Sequence, residues 1–249
     1  MPPVSQAAPA RAVQTLHIPL VLHDPAATQA RVLDPPEAVL SACRALNVLL
    51  AVVGLVVALP VMLVVALLVK LSSPGPVFYT QTRVGRDRRG PHPGVGSERR
   101  RVDYGGRLFK IYKFRTMRSD PAANVQIWAA PSDSRVTRVG AVLRKYRLDE
   151  LPQLWNVIRG DMNIVGPRPE QPNIFLSLRE QINDYPRRQR VLPGITGLAQ
   201  VSQSYDTCID DVRNKLRFDL AYVERMSPLQ DLAIMLKTIP VILFRKGGW

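Results

Sequence analysis

Residues 46–69 carry no charged side chain, and only Asn47, Gly54 and Pro60 interrupt an apolar run of about 24 residues. A helix needs roughly 20 such residues to cross the hydrocarbon core of a bilayer. The run is too long and begins too late for a cleaved signal peptide, and no Ala-x-Ala site precedes a mature start. A fully buried helix of a soluble protein is the remaining rival, and the length of the run favours the membrane. Lys70 and a dense set of arginines follow, so the positive-inside rule puts everything after residue 70 in the cytoplasm. Pro60 leaves the carbonyl of Val56 without its helical donor and predicts a kink. A kinked span and a helix that bends back out on the same side are both compatible with these residues. The second needs cover for the freed backbone groups.

The rest of the chain is arranged around that segment. Residues 1–37 are rich in proline and alanine without a sustained period, which reads as a flexible tail. Residues 38–71 form the membrane helix, kinked at Pro60, and residues 72–249 a cytoplasmic catalytic domain. Ser72, Ser73, Pro74, Gly75 and Pro76 end the helix, and residues 77–83 alternate well enough for a short strand. Residues 85–106 read as a solvated basic loop around Arg99, Arg100 and Arg101, close enough to the membrane segment to touch anionic headgroups. Residues 108–117 predict a second strand with Phe109, Ile111 and Tyr112 inward and cations on the other face. A polar loop around Trp128 follows. Residues 138–147 predict a short amphipathic helix with a basic face, residues 175–185 a helix, and residues 193–197 a turn before a strand-like 198–201. Residues 210–225 read as an amphipathic helix. From Pro228 to residue 246 the chain is apolar but short for a span and broken by Pro240, so it reads as a helix lying in the membrane interface. The fold class is therefore α+β, mainly helical.

A formal net charge of +14 points to polyanionic partners. Nucleic acid fits that charge, but no recognisable nucleic-acid module or stacking-aromatic pattern is present, so no nucleic-acid partner is expected. Cys43 and Cys208 stand in unlike surroundings and give no disulfide framework. The three histidines form no cluster with cysteine, which makes a dedicated transition-metal site improbable.

The chemistry concentrates in residues 144–169. Asp149 and Glu150 sit at what reads as a helix start, Asp149 as N-cap, Glu150 at N1 and Pro152 still in the first turn. An aspartate there is ordinarily a cap. The same position also lowers its pKa and turns free N–H groups toward an anion, so that an ionised carboxylate there can attack phosphorus or hold a hard cation. Arg168, clamped between Pro167 and Pro169, offers the fixed planar guanidinium that bidentate phosphate recognition requires. Lys113 and Arg115 add cations from one strand face.

Several blocks then occur in order. They are Ser73-Pro74-Gly75-Pro76-Val77-Phe78-Tyr79-Thr80-Gln81-Thr82-Arg83-Val84-Gly85, Phe109 to Met117, and Leu148-Asp149-Glu150-Leu151-Pro152-Gln153-Leu154-Trp155-Asn156-Val157. Gly160-Asp161-Met162, Val165-Gly166-Pro167-Arg168-Pro169 and residues 193–201 complete the set. Together they resemble the bacterial sugar transferases, the small monotopic polyprenyl-phosphate phosphoglycosyl transferases, over most of the chain.

The resemblance implies a two-step exchange. The residue matching Asp149 attacks the β-phosphorus of a UDP-sugar and releases UMP, and a polyprenyl phosphate then takes the sugar phosphate from the aspartate, beginning a surface glycan. It implies Mg²⁺ beside Asp149 and Glu150, phosphate contacts from Lys113, Arg115 and Arg168, and substrate contacts from Thr196 and Gln200. It further implies a re-entrant helix bent at Pro60, in contact with membrane lipids at the cytoplasmic face of the bacterial inner membrane. A homo-oligomer is left open. The chain departs from the family pattern at Leu59, where serine usually precedes the proline, at Asn47, where aspartate is common, and in the longer stretch 85–106.

Overall fold

The computed structural model describes residues 34–87, 103–118, 133–203 and 208–243. Most of the N-terminal tail, the Arg99–Arg101 part of the basic loop, the loop around Trp128 and the last six residues lie outside the described residues. Helix α1 (Glu37–Ser72) takes in the whole apolar run and continues through Pro60. At 1.5 Å per residue its 36 residues correspond to about 54 Å of helix, well beyond a bilayer core. Ser73 leaves the helix in an extended conformation, and Gly75, at φ 120°, turns the chain where an L side chain would be strained.

Two stripes of α1 are buried, one on each side of Pro60. Cys43, Asn47 and Ala51 recur at i, i+4 and i+8 on the first arm, and Val65 and Val69 at i and i+4 on the second. Ala51 joins Phe109, Ile111, Val157 and Met162 in one apolar cluster, while Val65 and Val69 join Phe114 and Leu143 in another. Between and around these stripes, Val56, Val57, Leu63 and Leu67 are exposed.

Strands β1 (Phe78–Val84) and β2 (Leu108–Phe114) pair antiparallel with Phe78 opposite Phe114, and those two rings stack 5.4 Å apart. Phe109 and Ile111 point inward as their alternation predicts, but Lys113 lies on their side of the strand rather than opposite. Tyr112 is only half-buried, and Phe114 is buried on the other face against α1. The strand therefore packs on both faces near its end, which a one-sided alternation does not anticipate.

Helix α2 (Arg138–Lys145) starts at Thr137, whose hydroxyl accepts from the Gly140 N–H. Helix α3 (Gln153–Arg159) ends on Gly160, at φ 88°. A short parallel pair follows: β3 (Asn163–Val165) lies beside β4 (Gly194–Thr196), and the connection passes through helix α4 (Pro172–Gln181). The strand falls inside the residues expected to be a turn, and the strand-like segment after it is helix α5 (Leu198–Ser202), closed by Val201 N–H to Gly197 O at 3.1 Å. Pairing with β3 decides the matter, because it supplies the ladder bonds that a four-residue pattern cannot specify. Helices α6 (Ile209–Arg225) and α7 (Pro228–Leu243) complete the described chain.

Polar anchors tie α1 to this assembly. Arg44 donates to the carbonyls of Met162 at 2.7 Å and of Val157 and Ile158 in the last turn of α3, adding a donor where the helical ladder is ending. Asn47, fully buried, donates to Asp231 of α7 at 2.6 Å and accepts from the Ile164 and Val165 N–H groups at 2.8 and 3.1 Å. Tyr222 of α6 donates to the other Asp231 oxygen at 2.8 Å.

At the far end of α1 the guanidinium of Arg115 donates to Val69, Ser73 and Pro74 carbonyls at 3.3, 2.6 and 3.0 Å. Only 5% exposed, Arg115 closes the C-terminus of α1 and does not face the carboxylate pair, which corrects its expected place among the phosphate-binding cations. Its short distance in sequence from Lys113 gives no warning, since β2 ends between them. Arg115→Met is expected to lower the unfolding free energy by about 2 kcal/mol, because those carbonyls lose a charged donor. Chemical denaturation monitored by circular dichroism checks this.

Candidate active site

Asp149 and Glu150 lie in a single 3₁₀ turn, Leu148–Glu150, and not at the start of an α-helix. The N–H groups of Glu150, Leu151, Leu154 and Trp155 all bond three residues back, to Arg147, Leu148, Leu151 and Pro152. Pro152 has no N–H with which to extend a four-residue ladder, and α3 begins only after it. Arg147, entering the turn at φ 54°, is the one non-glycine among the described residues with positive φ. The expected N-cap geometry is thus replaced by a tighter turn that buries both carboxylates, at 8% and 6% exposure.

The two acids are not equivalent. Glu150 Oε1 accepts from Lys113 Nζ at 2.7 Å and from Arg168 Nη2 at 3.1 Å, and its Oε2 stands 3.6 Å from Arg147 Nη1. Burial alone pushes Glu150 up, but Lys113, Arg168 and Arg147 hold it well below the usual carboxylate range. Asp149 makes no side-chain hydrogen bond or ion pair among the described residues. Burial pushes its carboxyl above the ordinary aspartate range, against the pull of Lys113 and Arg144 and with the help of Glu150's charge. One carboxylate is therefore committed to cations, while the other is uncommitted and more basic. With Lys113, Arg144, Arg147 and Arg168 grouped around two acids, the site favours a further anion.

Three of the four cations are held from behind. Asn156 of α3, fully buried, donates to Lys110 O at 2.8 Å and accepts from Tyr112 N–H at 3.0 Å, fixing the edge of β2 beside Lys113. Arg144 Nε donates to the Thr116 hydroxyl at 2.9 Å. The backbone around Arg168 is fixed from several sides: its carbonyl accepts from Arg188 at 3.0 Å, and the next carbonyl, of Pro169, from Arg83 at 3.0 Å. Arg188 is itself buried on Asp219 at 2.7 Å and Tyr185 at 2.7 Å. Burial and the neighbouring Arg168 lower the Arg83 guanidinium to about 10. Gly166 allows the close approach on which this depends, since a Cβ there would lie 2.3 Å from Leu192 O.

Thr196 and Gln200 lie apart from Asp149, in the wall of a cavity of about 300 Å³ between α3, β4, α5 and α7 that also reaches Glu150 and Arg147. The structure thus brings Asp149, Glu150, Lys113 and Arg168 into one cluster, sets Thr196 and Gln200 in the neighbouring cavity, and leaves Arg115 against the C-terminus of α1 and Pro60 within that helix. Arg144, Arg147 and Asn156 also join the site: all three fall in the stretch 144–169 singled out by the sequence, but their roles depend on a left-handed turn and two long-range contacts that sequence alone does not assign.

A magnesium ion suits this donor set at Asp149 alone. Its carboxylate is uncommitted, and Mg²⁺ commonly binds one or two carboxylates together with substrate phosphates. Glu150 does not suit it, because three cationic side chains already occupy its surroundings.

A family profile described as bacterial sugar transferase matches residues 39–245. The chain is 42% identical over 205 residues to the UDP-N-acetylgalactosamine-undecaprenyl-phosphate N-acetylgalactosaminephosphotransferase of Aeromonas hydrophila, covering 82% of this chain and 44% of that protein. It is 39% identical over 205 residues to the UDP-glucose:undecaprenyl-phosphate glucose-1-phosphate transferase of Xanthomonas campestris pv. campestris, covering 81% of this chain and 38% of that one. With the exopolysaccharide production protein ExoY of Sinorhizobium fredii it shares 38% identity over 222 residues, 83% of this chain and 87% of the relative. The chain spans less than half the length of the first two relatives and most of the third. The matched region contains all but the first two residues of α1, both strand pairs and every member of the carboxylate cluster, and on that extent the chain belongs to the bacterial sugar transferase family.

Proposed function

We propose that the chain transfers a sugar 1-phosphate from a UDP-sugar to polyprenyl phosphate through a phosphoglycosyl-aspartate at Asp149. The observation that carries this reading is the asymmetry of the acid pair: Glu150 is locked among cations, and Asp149 is buried, uncommitted and more basic than usual. In the first step an Asp149 oxygen forms a bond to the β-phosphorus. The bond from that phosphorus to the bridging oxygen breaks, and its electron pair leaves with UMP. In the second step a phosphate oxygen of the polyprenyl phosphate forms its bond to the same phosphorus, and the Asp149 carboxylate departs. Lys113 and Arg168 oppose the charge on the phosphoryl oxygens as it develops, and their attachment to Glu150 keeps them aimed without reorganisation. Mg²⁺, held by Asp149 and substrate phosphates, would supply further neutralisation of the diphosphate.

The membrane part of the reading rests on α1. Both of its arms pack on the same domain, and its middle is apolar and exposed. A helix crossing the bilayer outright would carry one arm away from a domain confined to one side. A re-entrant helix bent about Pro60 keeps both arms attached, with the domain on the cytoplasmic face of the inner membrane, as the cations after residue 70 favour. Leu229, Leu232, Leu236, Ile239 and Leu243 form an exposed stripe along α7, which suits a helix lying in the headgroup region.

The relatives' names include both N-acetylgalactosamine and glucose phosphotransfer, so a panel of UDP-sugars is the direct test. Purified full-length protein with Mg²⁺ and polyprenyl phosphate is expected to release UMP from at least one UDP-sugar and to form the matching lipid diphosphosugar. Release of UDP instead of UMP, or no release from any member of the panel, rejects the reading.

A further inference from the structure

The cavity beside Glu150 has a polar end and apolar walls. Arg147 and Glu150 form the polar end, and Leu154, Ile164, Ile195, Met235 and Val241 are among the wall residues. Most of its wall hydrogen-bonding groups are spent on one another: the Thr196 and Thr238 hydroxyls meet at 2.8 Å, and Gln200 Nε2 donates to Ile195 O. Only Gln200 Oε1 is left buried without a partner, too little to satisfy the hydroxyls of a hexose. Its volume of about 300 Å³ is at the small end of the roughly 300–1,000 Å³ of ligand pockets. Ile239 both lines the cavity and is half exposed within the apolar stripe of α7, so the cavity opens where that stripe meets its surroundings.

Arg147 supplies the second observation. The cations approach Glu150 from two sides, Lys113 and Arg168 at Oε1 and Arg147 at Oε2, and only Arg147 also lines the cavity. Its left-handed backbone costs about 1 kcal/mol or more, and strain of this kind is kept where function needs it.

We infer that this cavity holds the first isoprene units of the polyprenyl phosphate acceptor and that Arg147 binds the acceptor's phosphate, leaving Lys113 and Arg168 to the nucleotide sugar. The inference rests on the phosphoglycosyl transferase reading and divides its site between the two substrates. The acceptor enters from the α7 side with its tail directed to lipid, and its phosphate arrives beside the carboxylate turn that carries Asp149.

Two variants separate this from a structural role. Val241→Trp fills the cavity away from the acids. Arg147→Asn removes the cation while keeping a residue that tolerates the left-handed conformation, so it is expected to unfold at or above the wild-type temperature. Two readouts are taken on full-length protein in lipid nanodiscs: the burst of UMP released without acceptor, and steady-state turnover against polyprenyl phosphate. In both variants KM for polyprenyl phosphate is expected to rise about tenfold or more, several times further than the burst rate falls. A polyprenyl phosphate bearing a photoreactive group in its second isoprene unit is expected to label α7 of the wild type, and Val241→Trp to suppress that label. An unchanged acceptor KM, a burst that falls in parallel with turnover, or labelling of α1 and not α7 overturns the inference. If the wild type releases no UMP, the transferase reading fails by that result, and the photolabel still decides whether the cavity takes the lipid.

Discussion

Asp149→Asn is expected to lower UMP release by at least about a thousandfold while leaving the unfolding temperature unchanged or raised. Asparagine caps a helix as well as aspartate does, so a residue kept for capping would tolerate the change. A nucleophile would not, since the amide cannot form the acyl phosphate. The stability half follows from the sign of the shift. Burial raises the Asp149 pKa above its unfolded value, so its stabilising contribution is fully present below that unfolded value and is lost as pH rises through the folded one. At neutral pH the ionised side chain is therefore a net cost to the fold, and a neutral amide removes it. The same shift sets the acid limb of the pH profile. Activity of the wild type is expected to fall on acidification at a pH above the roughly 3.9 of an ordinary aspartate, while Glu150 stays ionised throughout that window. Single-turnover UMP release, thermal melts and a pH series on the same preparations test all three. An active Asp149→Asn enzyme would sink the covalent mechanism.

Asn47→Leu is expected to cost roughly 3–5 kcal/mol, the largest stability loss of any single substitution considered. Leucine has a similar volume and is at home in α1, so composition alone would count it harmless. It leaves the Ile164 and Val165 N–H groups without the side-chain acceptor they use, and removes the donor that Asp231 receives at 2.6 Å. Asp231 is fully buried and no cation is bonded to it among the described residues, so its remaining support would be the Tyr222 hydroxyl and the weaker Cys43 thiol. Denaturant titration in detergent measures the loss, and proteolysis is expected to release α7 first, since α1 and α7 meet at this residue. A loss below about 1 kcal/mol would mean that water replaces the amide without difficulty.

The extents of α1 and α6, the start of α7 and the boundary at Ser72 were legible because hydrophobic period and Pro-Gly punctuation are local properties, whereas the short α5 read as strand-like and α4 was placed about three residues late. That Asp149, Glu150, Lys113 and Arg168 belong to one site was legible only through ordered motifs, and the pairing of Lys113 and Arg168 with Glu150 was not, since no local rule brings residues 113 and 168 to one carboxylate. Three features lay beyond both. The 3₁₀ turn depends on Arg147 adopting a left-handed conformation that no single residue type announces. Arg115 has the composition of a phosphate ligand and the position of a helix cap, and only the end of β2 decides between them. Asn47 stood out as a polar interruption in an apolar run, but its three long-range partners come from two other elements.

The Asn47–Asp231 contact joins residues 184 positions apart. During synthesis, α1 emerges long before α7 exists, so its buried amide must wait until residue 231 has been made to find its carboxylate. The Asn47–Asp231 bond is thus a late event of high sequence separation, the kind that forms slowly. Until it forms, α1 is held by contacts that can form earlier, Arg44 and Ala51 on its first arm and Arg115 at its last turn. A nascent chain stalled before residue 228 is expected to hold both arms of α1 while its Asn47 amide still lacks the carboxylate, giving quality-control proteases a defined window in which to tell finished molecules from unfinished ones.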